Sequence, residues 1–424
     1  MVQVYRKHWH KESFKTSLGY LRDLIVYFLP IPRLPLWVIK LLYGVIPEFI
    51  FFVHPRRSED IFRGFPTLSI VRKFFDKQTT LNLISKLPPI VIGVVKTPTD
   101  VNGLVISSFS VPAILANERR TTLKEAFRGL AFASKISKRF AIVGLGGWWP
   151  AVTRRGIGLK DYAKKRNLVV TNGHCGTLVS LFLMIKEISE IASYKLEDMS
   201  VSILGVGKMG ANLARAIYNK IGRLILIDVN AAKLSKVTEE LRGNKYNHTV
   251  LQEIVSDKDP GVMKNILGSC HVLVCTTTNL RRLIIPEDIP PGSIIIDDAR
   301  PEAVSRHIST DKIVLEGGLM KIVGVSIDYD FGFGYGDNVF GCLAETYALA
   351  LDKLRTLRPT LGDVDINNYE EMKKFCLRNN LVCGDFKTLE VTIHKAQLYA
   401  CLKNKSTNGV FLKAKQPHGQ QVLS

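Results

Sequence analysis

The chain has 424 residues, 46% of them hydrophobic, and carries a formal net charge of +20. Its length exceeds one ordinary domain and predicts two or three, and its apolar content excludes a chain that is disordered throughout. Because no nucleic-acid-binding motif accompanies the basic charge, we expect no nucleic-acid partner; anionic lipid, an acidic protein partner or a solvated basic surface each account for that charge.

Seven cysteines are spread along the chain, an odd number that includes no CxxC spacing. This pattern predicts no metal site and favours reduced thiols in the cytosol. We therefore expect a cytoplasmic protein.

Residues 1–60 form a basic and apolar leader. Its polar, basic first fifteen residues are unlike a cleavable signal peptide. Between Ser17 and Pro55 no uninterrupted apolar run reaches the roughly 18–20 residues that a transmembrane helix needs. The prolines from Pro30 to Pro35 predict an elbow between two short amphipathic segments. These segments either lie peripherally in a membrane interface or pack on the protein core.

Residues 61–197 have the pattern of an α/β substrate domain. Short apolar runs bounded by turn residues predict strands, and apolar residues at helical spacing predict a helix. The strands are expected at 90–95, 104–106, 140–144 and 168–171, and helices at 123–138 and from about 172 to about 191.

Residues 198–332 alternate strands and helices, which predicts a Rossmann-type parallel sheet with crossover helices. The first strand, Val201–Leu204, runs into a glycine loop, and a helix follows from Ala211 to Lys220. Further strands are expected at 224–227, 272–275 and 294–296.

The glycine loop has the spacing of a dinucleotide-binding fingerprint, and its sequence is Gly205-Val206-Gly207-Lys208-Met209-Gly210. In such a loop Gly205 permits the tight turn, Gly207 lets the backbone approach the pyrophosphate, and Gly210 lets helix and strand pack closely. The N–H groups at the start of the helix then bind the phosphates. The alternative is a glycine turn without a ligand.

Asp228 ends the next strand, about 20 residues beyond the loop, where a carboxylate accepts hydrogen bonds from the ribose hydroxyls of NAD and repels the 2′-phosphate of NADP. Lys233 lies nearby in the sequence, and its positive charge would weaken the repulsion of the 2′-phosphate. The cofactor is therefore expected to be NAD(P)H, with NADH favoured over NADPH.

The next segment, 333–358, contains a helix predicted from Val339 to about Leu354, with Cys342 near its start and Asp337 or Asn338 as its cap. We expect this cysteine-bearing helix to return to the cleft of the two domains. The extension 359–424 is polar and lacks strong periodicity, so its structure is not predicted.

From about His54 to Leu354 several short stretches match one family in order and spacing. They are FVHPR (52–56), ED (59–60), FP (65–66), IVGLG (142–146), VTNG (170–173), IDDARP (296–301), EGG (316–318) and FGCLAET (340–346). The last, with the pattern F-x-C-x-A-E-[ST], is the most specific. Together they resemble the long-chain acyl-(acyl-carrier-protein) reductases, which form fatty aldehydes.

The resemblance implies a two-domain α/β reductase with a shikimate-dehydrogenase-like arrangement. It implies reduction of a fatty acyl thioester, of acyl carrier protein or coenzyme A, through an acyl-enzyme on Cys342. Near a helix start the thiolate of Cys342 is favoured by the helix dipole. His174 is a candidate proton donor, and the adjacent Cys175 is a rival nucleophile; both also fit a structural turn.

Two other functions stay open at this point. One is a shikimate-dehydrogenase- or ornithine-cyclodeaminase-like enzyme on a small polar substrate, although the Lys/Asp pair of a shikimate-type site is not found. The other is a non-catalytic dinucleotide sensor at a membrane.

Overall fold

The computed structural model describes residues 9–117, 119–243, 249–255, 260–277, 283–285, 287, 289–300, 302–304, 311–329, 336–388 and 391–407. The chain forms two compact units. The first comprises Met1–Ser180 and Gly318–Asp385, and the second comprises Leu181–Gly317 and Phe386–Ser424.

The described helices are α1 (Trp9–Phe28), α2 (Leu36–Tyr43), α3 (Ser58–Gly64), α4 (Lys77–Ile84), α5 (Pro112–Asn117), α6 (Arg119–Ile136), α7 (Trp149–Val152), α8 (Lys160–Lys164), α9 (His174–Ile191), α10 (Lys208–Ile217), α11 (Ala231–Arg242), α12 (Pro260–Ser269), α13 (Gly341–Asp352), α14 (Ile366–Arg378) and α15 (Lys395–Thr407). Short 3-10 helices occupy Pro66–Lys73, Ile157–Leu159, Leu196–Asp198 and Tyr218–Lys220.

The described strands are β1 (Phe49–Val53), β2 (Ile90–Lys96), β3 (Gly103–Ser107), β4 (Ala141–Leu145), β5 (Leu168–Thr171), β6 (Ser200–Leu204), β7 (Arg223–Asp228), β8 (Val250–Val255), β9 (Val272–Cys275), β10 (Ser293–Asp297), β11 (Lys312–Glu316), β12 (Leu319–Ile322), β13 (Ser326–Ile327), β14 (Asn338–Phe340), β15 (Leu381–Cys383), β16 (Lys387–Thr388) and β17 (Val391–Thr392).

The main sheet of the first unit has the order β13-β2-β3-β1-β4-β5. Strands β3, β1, β4 and β5 run parallel, whereas β2 is antiparallel to both of its neighbours. A second sheet of the same unit has the order β14-β12-β15. Because the parallel strands are covered on both faces, their residues are almost all buried.

The predicted leader contains β1, an inner strand of this sheet, so residues 49–53 belong to the core of the first unit. Phe49 to Phe52 are at most 1% exposed. A strand buried on both faces shows no alternation of apolar and polar residues, so periodicity does not separate it from the apolar segments before it. The leader of residues 1–60 is therefore not a separate segment of the fold.

Helices α1 and α2 are held to the first unit through the buried carboxylate of Asp23. It accepts hydrogen bonds from the Val91 N–H at 2.7 Å, the Tyr43 hydroxyl at 3.0 Å and the Arg22 guanidinium at 2.8 Å. Burial raises the pKa of Asp23, whereas these hydrogen bonds oppose the rise. The charge is thus enclosed with three donors, as buried ionised groups require.

The sheet of the second unit is entirely parallel, with the order β8-β7-β6-β9-β10-β11. In chain order this is 3-2-1-4-5-6, the strand order of a Rossmann fold. The predicted strands at 201–204, 224–227, 272–275 and 294–296 all lie within it. The fold is thus α/β with a Rossmann-type domain, as the sequence predicts.

The ends of the chain also differ from the predicted segmentation. Helix α14, within the predicted extension 359–424, belongs to the first unit, and α15 belongs to the second. The predicted helix of residues 339–354 is α13, which begins two residues later because 338–340 pair with β12 as β14. Residues 333–335 and 408–424, like 1–8, lie outside the described part.

Replacing Asp23 with Ala should lower the free energy of unfolding of the first unit by about 3 kcal/mol, because it leaves a buried N–H and hydroxyl without an acceptor. All four tryptophans lie in this unit, so their fluorescence in a urea titration reports its unfolding. The control Asp161→Ala removes an exposed carboxylate and should cost less than about 0.5 kcal/mol. Equal effects of the two variants would show that Asp23 does not stabilise the unit.

Candidate functional site

In the first unit, the parallel strands β1, β4 and β5 bring their carboxyl ends to one edge of the sheet. Polar and aromatic residues follow each of these ends: His54 after β1, Trp148 after β4 and His174 after β5. Such an edge is where α/β proteins bind ligands.

Helix α13 begins at Gly341, whose N–H donates to the carbonyl of Gly318 at 2.7 Å. Cys342 is therefore the second residue of a 12-residue helix, and its side chain is partly exposed. The positive end of the helix dipole lies beside the thiol, so the thiolate is stabilised there. The position suits a sulfur nucleophile.

The start of α13 lies directly against the turn that joins β5 to α9. A Cβ placed on Gly173, which has φ +73°, would overlap the Cβ of Cys342. A Cβ on Gly341 would lie 2.6 Å from the carbonyl oxygen of Gly176, and one on Gly176 would overlap the carbonyl oxygen of Gly341. These glycines allow two backbones to touch, and that contact sets the position of Cys342.

Glu345, one turn further along α13, is fully buried and stabilises the contact between α13 and the β5–α9 turn. Its carboxylate accepts the Gly176 N–H at 2.8 Å and the Thr171 hydroxyl. Burial raises its pKa, and these donors oppose the rise. Glu345 thus positions the helix that carries Cys342.

Thr346 completes the packing of the F-x-C-x-A-E-[ST] motif. Its hydroxyl donates to the Cys342 carbonyl at 2.7 Å, and its side chain fills the space where Gly144 of β4 has no Cβ. Glu345 and Thr346 of the motif therefore have packing roles, in addition to the thiol of Cys342.

His174 begins α9, directly after Gly173, and its backbone N–H bonds to the Asn172 side chain at 3.0 Å. Burial, and secondarily the charge of Arg155, lowers its pKa to about 4, while Asp363 opposes the shift. The imidazole is therefore neutral near pH 7, so it can donate a hydrogen bond but carries no charge.

Arg155 and Asp363 lie near His174 and pair with each other at 3.2 Å. The Arg155 carbonyl also accepts the Gly362 N–H at 3.0 Å. Sequence reasoning missed this pair, because its members are about 200 residues apart in the chain and follow no motif. The only sequence signal was the double arginine before Gly156.

Cys175, the rival nucleophile, is fully buried. Burial, and secondarily the charge of Glu345, raises its pKa well above that of an ordinary thiol. An enclosed, protonated thiol is a poor nucleophile. Both thiols belong to the second residue of a helix, and exposure distinguishes them: Cys342 is partly exposed, whereas Cys175 is buried.

His54 serves the structure of the sheet edge. Its Nε2 accepts the Trp148 N–H at 2.8 Å, and its Nδ1 lies 2.8 Å from the carbonyl oxygen of Pro55, so the proton is on Nδ1. Burial lowers its pKa to about 4. With both ring nitrogens engaged, His54 holds the turn after β4.

The predicted cap of α13 is wrong. Phe340 occupies the cap position and makes no side-chain capping bond. Asn338 instead exchanges two hydrogen bonds with Asp385, at 2.8 and 2.7 Å, and Asp337 lies 3.4 Å from Lys321. Pairing of residues 338–340 as strand β14 places their side chains away from the helix end.

In the second unit, the three glycines of the loop 205–210 meet different constraints. Gly205 has φ +92°, and a Cβ there would lie 2.7 Å from Cγ2 of Thr277. A Cβ on Gly210 would overlap the carbonyl oxygen of Gly205, so helix and strand are in close contact. Gly207 has open space beside it, where a pyrophosphate can approach.

Helix α10 begins with Lys208 and Met209, so its first N–H groups follow Gly207 directly. Asp228 ends β7 beside the loop: its carboxylate accepts the Val206 N–H at 2.7 Å and the Asn230 N–H at 2.9 Å. The loop, helix start and carboxylate together fit a dinucleotide.

A second polar group lies at the ends of β10 and β11. The Asp297 carboxylate accepts the N–H groups of Ala299 and Val304 at 3.1 Å each, and Arg300 pairs with Glu316. Burial raises the pKa of Asp298 to about 7, while Arg300 opposes the shift. The matched stretches IDDARP and EGG thus form one ion-pair cluster, with Pro301 outside the described residues.

No family model matches the chain, and no curated protein sequence matches it. Three similar solved structures are the nucleotide-binding domain of glutamyl-tRNA reductase from Thermoplasma volcanium, a dipicolinate synthase from Bacillus halodurans and a transhydrogenase from Sinorhizobium meliloti. Their identities to this chain are 13%, 12% and 10%, and their TM-scores are 0.24, 0.27 and 0.29.

The matches cover 31%, 62% and 42% of this chain, and 83%, 86% and 61% of those structures, in the same order. Because every TM-score is low, the assignment of the fold depends on the strand order and glycine loop of this chain.

Iodoacetamide at neutral pH should alkylate Cys342 at least about threefold faster than Cys383, because Cys342 lies beside a helix start whereas Cys383 ends a strand. These are the two partly exposed cysteines, and the thiol of Cys383 donates to the Gly384 carbonyl at 3.4 Å. Peptide mass mapping over time gives both rates, with Cys342→Ser to assign the fast site. Faster labelling of Cys383 would contradict the interpretation of α13.

Proposed function

We propose that this protein reduces a fatty acyl thioester to a fatty aldehyde, with Cys342 as the acyl-carrying residue and reduced nicotinamide dinucleotide as the hydride donor. The observation that carries the proposal is the position of Cys342: a partly exposed thiol in the first turn of α13, fixed by backbone contact with the β5–α9 turn. The resemblance of residues 340–346 to the reductase motif agrees with this role.

A thiol suits the chemistry because it exchanges with a thioester without loss of acyl activation. The Cys342 thiolate attacks the carbonyl carbon, a new C–S bond forms, and the bond to the carrier sulfur breaks as the carrier leaves and takes up a proton. The acyl group remains a thioester, which is more easily reduced than the ester that a serine would form.

Reduced nicotinamide dinucleotide, when bound, would supply the hydride that reduces the acyl group. The loop 205–210 and Asp228 are the residues that would bind it, because the loop leaves open space beside Gly207 and presents the start of α10.

The first turn of α13 can stabilise the oxygen that becomes negative when the acyl carbon is attacked, since helix-start N–H groups donate to such oxyanions. His174, a neutral imidazole next to Gly173, can donate a further hydrogen bond. The negative oxygen would then re-form the C=O bond as the Cys342–carbon bond breaks, with the electron pair of that bond returning to sulfur, which takes up a proton as the aldehyde leaves.

Cys342→Ala should abolish the acyl adduct and lower aldehyde formation at least about 10³-fold, the scale seen when a catalytic nucleophile is removed. The probe is a long-chain acyl-coenzyme A, added without reductant for intact-mass measurement and with NADH or NADPH for aldehyde formation. Dinucleotide affinity should stay within about twofold, because Cys342 lies outside the glycine loop.

Cys175→Ala is the matched control, a neighbouring thiol that is buried, and it should keep the adduct and most of the activity. An adduct that persists on Cys342→Ala and disappears on Cys175→Ala would reverse the assignment. Aldehyde formation by a wild type that never shows an adduct would indicate direct hydride attack on the bound thioester. Absence of aldehyde with acyl-coenzyme A and with acyl carrier protein would overturn the proposed function.

For the cofactor, we propose that Asp228 makes NADH the better donor, because its carboxylate would repel a 2′-phosphate. Asp228→Asn keeps an acceptor for the Val206 N–H but removes the charge, so the rate ratio of NADH to NADPH should fall about tenfold or more. Lys233→Ala should lower use of NADPH only. A wild type that strongly prefers NADPH would contradict this assignment.

A further inference from the structure

Helices α1 and α2 bury one face and expose an apolar one. The inward face includes Asp23, Val26, Ile39 and Tyr43, all at most 5% exposed. The outward apolar residues are Leu18, Leu21, Ile25 and Phe28 on α1, and Leu36, Trp37 and Leu41 on α2. We call these seven side chains the α1–α2 face. Phe28, Trp37 and Leu41 are 70–75% exposed, although large apolar groups gain most from burial.

Helices α1 and α2 are in contact with each other. Arg22 lies between Leu21 and Ile25 in the sequence of α1, and its guanidinium donates to the carbonyl of Leu42 on α2 at 2.9 Å. The same guanidinium stacks over the Tyr43 ring at 4.2 Å. One cationic side chain of α1 therefore contacts α2 at two neighbouring residues.

The face is held in place by the fold, so it is not exposed through fraying of an end. Beyond the Asp23 anchor, Lys135 donates to the carbonyls of Tyr27 and Leu29 at 2.6 and 2.7 Å, where α1 ends. Arg33, in the elbow, donates to the carbonyls of Ser137 and Arg166. An apolar surface fixed in this way marks an interaction site.

The charges around the face are basic. Lys40 is exposed within α2, and Arg33 lies close enough to Arg139 for that charge to lower its pKa, after the larger effect of burial. The nearest acid on these helices, Asp23, is enclosed by its donors. Cations beside apolar side chains, with an exposed tryptophan among them, match the interface of an anionic bilayer.

No helix in the described part of the chain is long and apolar enough to cross a membrane. We propose that the α1–α2 face is a docking surface for an anionic lipid bilayer, on which the two helices lie with their seven apolar side chains among the lipid headgroups and upper acyl chains. This proposal does not depend on the proposed reaction.

The test measures flotation of the full chain with vesicles of phosphatidylcholine, either alone or with about 30% phosphatidylglycerol. Wild type should bind the anionic vesicles, and high salt should weaken the binding because it screens the lysine and arginine charges. The emission of Trp37 should shift to shorter wavelength on binding, and Trp37→Phe should remove that shift.

The double variant Trp37→Ser with Leu41→Ser should lower the partition coefficient at least about tenfold, since it withdraws two large apolar side chains. Lys40→Glu should lower it at least about fivefold, on anionic vesicles only. The matched control Ile366→Ser with Leu377→Ser removes two exposed apolar residues of α14 and should change nothing. Both pairs are exposed, so equal thermal unfolding should confirm that folding is intact.

Equal vesicle binding by wild type and the α1–α2 double variant would overturn the proposal. Failure of the wild type to bind anionic vesicles at low salt would also overturn it. In that case, sedimentation of the wild type and the double variant would show whether the same residues mediate self-association or bind an acidic carrier protein. Aldehyde formation from a water-soluble short-chain thioester is measured alongside. Its presence or absence tests the reaction separately from membrane docking.

Discussion

The position of Cys342 depends on a contact between two peptide backbones, at Gly176 and Gly341. No side chain larger than hydrogen fits at either residue without displacing its neighbour, so the backbones at the start of α13 and the start of α9 are in direct contact. Glu345 then supplies an acceptor for an N–H and a hydroxyl that this closeness buries. A thiol held against a rigid turn loses little freedom when it reacts, which is the advantage of building a site on packed elements.

Local sequence signals were enough for the Rossmann half of the fold. Four of its six strands, the glycine loop and the acid at the end of β7 are each indicated within a short window of sequence, whereas the edge strands β8 and β11 were not predicted. The roles of Gly205 and Gly210 follow from backbone geometry, which those residues dictate by themselves. The position of Cys342 at a helix start was also predictable, since a turn-rich segment precedes a run with helical spacing.

The first unit was less predictable because its contacts join distant parts of the chain. Strand β1 pairs with strands 54 and 93 residues further on, and nothing in its own apolar sequence distinguishes a strand from a buried helix. Asn338 is a residue type that often caps helices, but its side chain forms its hydrogen bonds with Asp385 instead. The low pKa of His174 arises from its enclosure and Arg155, neither of which its neighbours in sequence reveal.

The first unit is assembled from two stretches of chain, Met1–Ser180 and Gly318–Asp385. In the sequence, residues Leu181–Gly317 of the second unit lie between these stretches. During synthesis on a ribosome, the early stretch emerges long before α13, so the space beside Gly144 that Thr346 later fills stays uncovered while about 160 further residues, 181–340, are made. Exposed apolar sheet surface of this kind invites aggregation and capture by chaperones. Completion of the first unit therefore waits for the helix that carries Cys342, and a chain that stops before α13 lacks the part of the core that this helix closes.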